Sequence, residues 1–324
     1  MPPSPSTSSY TLAFALGALL VGCGPDPEPS AVDRVDRAAY EADLSAIVGP
    51  RSPGTPHWQV VQDLCADRFA ALGFEVERHA YGTGTNVIGV RAGTTRPDER
   101  VVVSAHYDSV PECAGADDNG TGVAATLEAA RVLSLQPHAR TLVVACWDEE
   151  ERGLTGSSAY AVRAKAAGDD IVLALVFEMI GYRSTEPNSQ QSDAAIETVF
   201  PDAAEQIRAN DYRGDFLLVI NDETATAAVA DLQATAERVG LPVVNISLLQ
   251  PLTQSIAQLR RSDHASFWDV GYPAVMVTDT ADFRNPHYHC PQNTSDALAD
   301  LDLDFAVQNV KAVVGAAAAA LDRE

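Results

Sequence analysis

The chain has 324 residues, 46% of them apolar, and a formal net charge of −23. That length and apolar content suit one large α/β domain, or two small ones, with an adequate core. The acidity argues against nucleic acid or anionic lipid as a partner, because either would repel the chain.

In chain order, residues 1–23 read as a signal peptide. The apolar segment from Tyr10 to Val21 is too short to span a bilayer. It runs into Leu20-Val21-Gly22-Cys23, which resembles a bacterial lipoprotein signal with Cys23 as the lipidated residue. One departure is that no Lys or Arg precedes the apolar run. Residues 24–32 read as a tether and 33–324 as a single domain. The expectation is an exported protein, periplasmic, anchored by lipid at Cys23, or secreted.

Residues 31–48 read as a helix. Residues 57–72 repeat apolar positions at helical spacing and stop at Gly73, a C-terminal cap. Strands follow at 74–81, 85–91 and 100–104, then a helix from Asn119 to Ser134. A buried strand at 141–146 leads into Asp148-Glu149-Glu150-Glu151. A helix at 154–166 precedes a strand at 171–177 that ends in Glu178. Residues 183–213 are polar and show no clear period. Strands at 216–220 and 243–246 flank a helix at 223–239. A short helix at 263–268, a strand at 274–278 and a helix at 303–321 complete the chain. This alternation predicts an α/β fold with a mostly parallel sheet between helical layers.

Candidate site residues gather where strands end. One strand ends in His106 and Asp108, and the loop beyond it carries Asp117 and Asp118. Another ends in the three glutamates, a third in Glu178, and a late loop holds His287 and His289. Ligands bind beyond the carboxyl ends of strands in open α/β sheets. Carboxylates and imidazoles collected there, without basic partners, suit a divalent cation. Each piece also has an ordinary reading. His-x-Asp is commonly a surface pair, and Asp118 or Asn119 suits a helix N-cap. Three consecutive glutamates after a buried strand fit that reading poorly, since they repel one another unless a cation or solvent compensates.

Six motifs, SAHYDS, AGADDNGTG, EERGLTGS, FEMIGY, SDHASF and NPHYHCPQNT, occur in that order between about residues 86 and 296. Together they resemble the M28 family of zinc aminopeptidases. The resemblance implies a three-layer α/β/α sandwich around a mixed sheet of about eight strands, with two Zn²⁺ ions. It implies His106 and Glu178 on one ion, Glu151 and His289 on the other, and Asp117 bridging both. Glu150 would be the general base, Asp108 would orient His106, and Tyr288 would add a hydrogen bond to the reacting oxygen. Glu178 stands where the family usually has Asp, and Asn293 where it often has Asp. His289 is favoured over His287 from the motif. Asp263 and His264 read as site architecture, and His57, His79 and His138 as packing or surface residues. The resemblance also implies a cis peptide between Asp117 and Asp118.

Beyond residue 23, the four cysteines allow two disulfides in three pairings. Cys113 and Cys290 are the favoured pair, because each is close to an implied ligand. Cys65 and Cys146 read as buried thiols. The function implied is removal of N-terminal residues from peptides with a free amino terminus. The alternatives are a glutaminyl cyclase-like enzyme with one zinc and a non-catalytic binding domain of the same fold.

Overall fold

The computed structural model describes Met1 and residues 30–324; the expected signal peptide, Cys23 and most of the tether lie outside the described residues. The expected first helix is divided. A 3₁₀ turn at Val32–Arg34 comes first, and α1 then spans Arg37–Ile47. Asp36 starts α1 by accepting from the Ala38 and Ala39 amides, which satisfies two donors that have no partner inside the helix. α2 (Pro56–Ala71) is capped by the Thr55 hydroxyl and has Pro at its first position, where no N–H is needed.

β1 (Glu75–Tyr81), β2 (Gly84–Arg91) and β3 (Arg96–His106) follow. Then come α3 (Gly122–Leu133), β4 (Arg140–Trp147), α4 (Thr155–Ala167) and β5 (Asp170–Glu178). The polar stretch that resisted reading holds two short helices, α5 (Ala194–Val199) and α6 (Pro201–Ala209). The rest is β6 (Leu217–Asp222), α7 (Thr226–Val239), β7 (Val243–Leu248), α8 (His264–Asp269), β8 (Ala274–Thr278) and α9 (Leu303–Asp322).

The eight strands form one sheet in the order β1-β2-β4-β3-β5-β8-β6-β7. The centre, β4-β3-β5-β8, is parallel, as is β6 with β7. The pairs β1/β2, β2/β4 and β6/β8 are antiparallel. The sheet is therefore mixed. Its parallel centre is hydrophobic on both faces, as a sheet covered on both sides requires. Val101 and Val103 pack on the side of α1, α2, α3, α7 and α9. Val102 and Val143 pack on the side of α4 and α8.

Register places the site. His106 pairs with Trp147, and Glu178 pairs with Thr278. The ends of β3, β4 and β5 thus come level along one edge of the sheet. The loops leaving them share one crevice. A disulfide joins Cys113 in the loop after β3 to Cys290 in the loop after β8, with Cα atoms 5.6 Å apart. Cys65 and Cys146 are buried free thiols. Among the described residues, no helix is long and apolar enough to cross a membrane.

Candidate metal centre

β3 delivers His106, fully buried, to the floor of the crevice. Its Nδ1 lies 3.4 Å from Asp108 Oδ1. Its Nε2 lies 3.4 Å from Asp118 Oδ1 and 3.4 Å from Glu178 Oε2. On the other side, His289 Nε2 lies 3.1 Å from Asp118 Oδ2 and 3.2 Å from Glu151 Oε2. The two oxygens of Asp118 therefore face two different imidazoles. Glu150 joins His106 and Glu178 in one group of donors, and Glu151 joins Asp118 and His289 in the other.

Asp117 is not in this cluster. Its Oδ1 accepts from the Gly181 amide and the Thr121 hydroxyl, and its Oδ2 from the Asn285 side-chain amide. The carboxylate that reaches both imidazoles is Asp118, one residue later. The turn Ala116–Thr121 leaves helical backbone geometry at Asp118 (φ −97°, ψ 95°) and Asn119, and across that kink the two neighbouring carboxylates take different partners. Asp118 is also not the helix cap: Asn119 Oδ1 accepts from the Gly122 amide instead. The cis peptide lies between Asp118 and Asn119, not between Asp117 and Asp118.

The turn after β4 is held from below by Asp108, which accepts from the Glu150 and Glu151 amides. One buried carboxylate thus faces the His106 ring and sets where both glutamates point. Glu149 leaves the site, bonding Thr83 and Arg152. Glu178 accepts from the Ser262 hydroxyl at 2.7 Å. Ser262 precedes Asp263, which is buried, and His264, whose Nε2 lies 2.9 Å from the Leu259 carbonyl oxygen. His287 is apart, 3.8 Å from Asp300. His57 and His138 contact the Ile47 and Leu133 carbonyls, and His79 contacts Asn86.

The electrostatics are those of buried carboxylates interleaved with two imidazoles. Burial pushes the Glu150 carboxyl well above its ordinary range; Glu178 adds to this and His106 opposes it. Burial alone would lower the His106 imidazole, but Glu150 and Glu178 outweigh it and hold it well up. Burial would likewise raise Asp118, yet contacts with His106 and His289 bring it below the usual carboxylate range.

Donor spacing tests whether metal fits. Zinc takes His nitrogen and carboxylate oxygen at about 2.0–2.2 Å, so two donors at a tetrahedral angle stand about 3.4 Å apart. The four imidazole–carboxylate separations, 3.1–3.4 Å, match that spacing. Both ring nitrogens of His106 are buried without a hydrogen bond, as is Glu151 Oε1. Buried polar atoms ordinarily have partners; His106 Nε2 and Glu151 Oε1 are thus available to ligate, while His106 Nδ1 faces Asp108. Asp118 with His106 and Glu178 fits one zinc, and Asp118 with Glu151 and His289 fits a second.

Residues 86–314 match the model of peptidase family M28. The chain belongs to that family. Among curated relatives, the uncharacterized protein YfbL of Escherichia coli K12 is 32% identical over 210 residues, 61% of each chain. A probable zinc metalloprotease of Pyricularia oryzae is 28% identical over 250 residues, 72% of this chain and 49% of that one. The chain thus spans about half to three-fifths of the length of these relatives. In fold it is similar to the LapA aminopeptidase of Legionella pneumophila, with a TM-score of 0.67 at 19% identity, covering 91% of this chain and 74% of that one.

Further residues shape this centre. Asp296 accepts from the Asp117 and Asp118 amides. Asn119 donates to the Phe177 carbonyl at the end of β5. Arg51 is wholly buried behind the loop. Asn119 falls inside the motif and was legible there as part of it. Asp296 and Arg51 escaped the sequence: Arg51 lies well before the motif region and Asp296 at its far end, with no spacing to mark them.

Proposed function

We propose that this M28 chain is an exported metallo-exopeptidase that removes N-terminal residues from peptides, using two zinc ions. The observation that carries the reading is Asp118, whose two oxygens face His106 and His289 separately. When bound, the ions supply Lewis acidity toward an attacking water and toward the scissile carbonyl.

The chain's own residues do the rest. Glu150 sits next to Glu151 and beside His106 and Glu178, and its raised affinity for a proton suits a general base. It takes the proton from water as the oxygen bonds to the carbonyl carbon. It returns that proton to the amine nitrogen as the C–N bond breaks. Tyr288 stacks on His289 with ring centroids 3.7 Å apart. Its hydroxyl accepts from Arg261 at 3.2 Å, which leaves its own hydrogen free for the tetrahedral oxygen of the substrate.

A cavity opens beside Glu178 and Tyr288. Ile196, Ala203 and Ile207 roof it, and Phe216, Ile220 and Met276 form its floor. An apolar side chain of the N-terminal residue fits there, while the carboxylate-rich mouth suits the protonated amino group. The test is amino acid release from an unblocked tripeptide against its N-acetylated form, with zinc counted per chain. Release that stops with chelator and with N-acetylation, at two zincs per chain, supports the reading. One zinc per chain with cyclisation of N-terminal glutamine favours the cyclase reading instead.

A further inference from the structure

Arg51 lies in the loop between α1 and α2, and its side chain has no exposed surface. Among the described residues, every hydrogen bond of its guanidinium goes to a backbone carbonyl. Nε donates to Tyr107 O at 2.8 Å. Nη1 donates to Ala114 O at 2.8 Å and Gly49 O at 3.4 Å. Nη2 donates to Gly115 O at 2.8 Å and Asp118 O at 3.2 Å. Burying a cation is costly unless it is compensated. Here carbonyl dipoles do so at contact, and the Asp118, Asp296, Asp108 and Glu151 carboxylates do so from further off.

The choice of carbonyls gives this arrangement its meaning. Tyr107 lies between His106 and Asp108, and Asp118 holds the two half-sites together. One planar fork therefore grips both ends of the loop that separates the β3 donors from the shared carboxylate. The loop is shaped to admit it. Gly115 has φ +57°, and a Cβ there would stand 2.4 Å from Asp118 O and 2.8 Å from Arg51 Nη1. Among the described residues, no other side chain hydrogen-bonds the carbonyls at both ends in this way: Asp296 holds only the amides of Asp117 and Asp118.

We propose that Arg51 is a positioning residue for the metal centre, fixing the Asp118 backbone against the end of β3 so that one carboxylate serves both ions. The inference rests on the two-ion reading above. Lysine cannot replace it, because an ammonium has three donors and no fixed fork.

The test compares the full chain with its Arg51→Lys and Arg51→Ala variants. Each is stripped with chelator and titrated with Zn²⁺ against a chromophoric competitor, and its fold is followed by circular dichroism. The expected result is at least a tenfold loss of zinc affinity in both variants, with the spectrum unchanged. Ethylguanidinium added to Arg51→Ala should recover several-fold of that loss, which general loosening of the fold would not allow. If Arg51→Ala does not fold, the charge-retaining Arg51→Lys decides alone. Wild-type affinity in Arg51→Lys overturns the inference while leaving the two-ion reading in place. A wild-type chain that takes up no zinc overturns both.

Discussion

Asp117 and Asp118 are adjacent, chemically identical and both buried, yet they face opposite ways. Each side of the loop dictates a different consequence of mutation. Asp118→Asn removes a charge from between two imidazoles, and zinc bound per chain should fall from two toward none at micromolar zinc. Asp117→Asn leaves the imidazoles untouched but turns an acceptor of three donors into a mixed group. It should cost about 1–3 kcal/mol of stability, the usual penalty for mispairing a buried polar group, with zinc content kept. Metal analysis beside urea unfolding separates the two. Equal zinc loss from both variants would refute the assignment. Glu150→Gln should keep both ions and lower kcat about 10²–10⁴-fold, the range for a lost general base. This is also the scale at which the sequence was hardest to read. A motif brings acids to the crevice, but which of two neighbours points inward depends on one backbone rotation that no residue type encodes.

At the scale of elements, strand ends were legible because buried strands announce themselves. Val101–Val103 and Leu142–Trp147 are uninterrupted apolar runs, and each is followed within a few residues by site residues, His106 after the first and Glu150 and Glu151 after the second. The cavity roof was not legible. α5 and α6 span only 6 and 9 residues, too short for a helical period to stand out from polar surroundings. Their inward positions, Ile196, Ala203 and Ile207, become visible as a set only once the fold aligns them over Phe216 and Met276. That roof sets a prediction about specificity. Ala203→Phe fills the cavity from above, so kcat/KM for N-terminal Leu or Phe should fall about 10–200-fold, the range for changing the space of an apolar pocket. Turnover of N-terminal Ala should change little. Parallel loss on all three substrates would mean that the cavity does not receive the side chain. The disulfide is a second element-scale device, tying the loop of Asp118 to that of His289. Replacing both Cys113 and Cys290 by Ser should weaken zinc binding chiefly at the His289 side, leaving close to one tightly held ion per chain in a competition titration.

For the whole molecule, the unusual quantity is the number of protons the native state holds. Burial pushes Asp263 up to about 7. Burial, helped by Asp117, brings Asp296 to about 7 as well. For His289, burial acts downward, but Asp118 and Glu151 raise it to about 10. All three exceed their unfolded values, about 3.9 for Asp and 6.5 for His. Through these three groups the native chain without metal holds more protons than the unfolded chain, and the stability they contribute falls as pH rises through their shifted values, against the opposite contribution of His264, which burial lowers to about 4. The carboxyls act between about pH 4 and 7. The His289 contribution is complete below about 6.5 and is lost by about 10. Zinc reverses the sign above neutrality. It takes the place of the His289 proton, so its affinity rises with pH, and a ligand that binds only the native state adds stability accordingly. Urea unfolding at pH 6.5, 8 and 9.5 should thus show a declining midpoint in chelator and a flat or rising one in excess zinc. His289→Gln should flatten the chelator series over the same range. Parallel slopes with and without zinc would show that the proton held by His289 and the metal do not compete for one place.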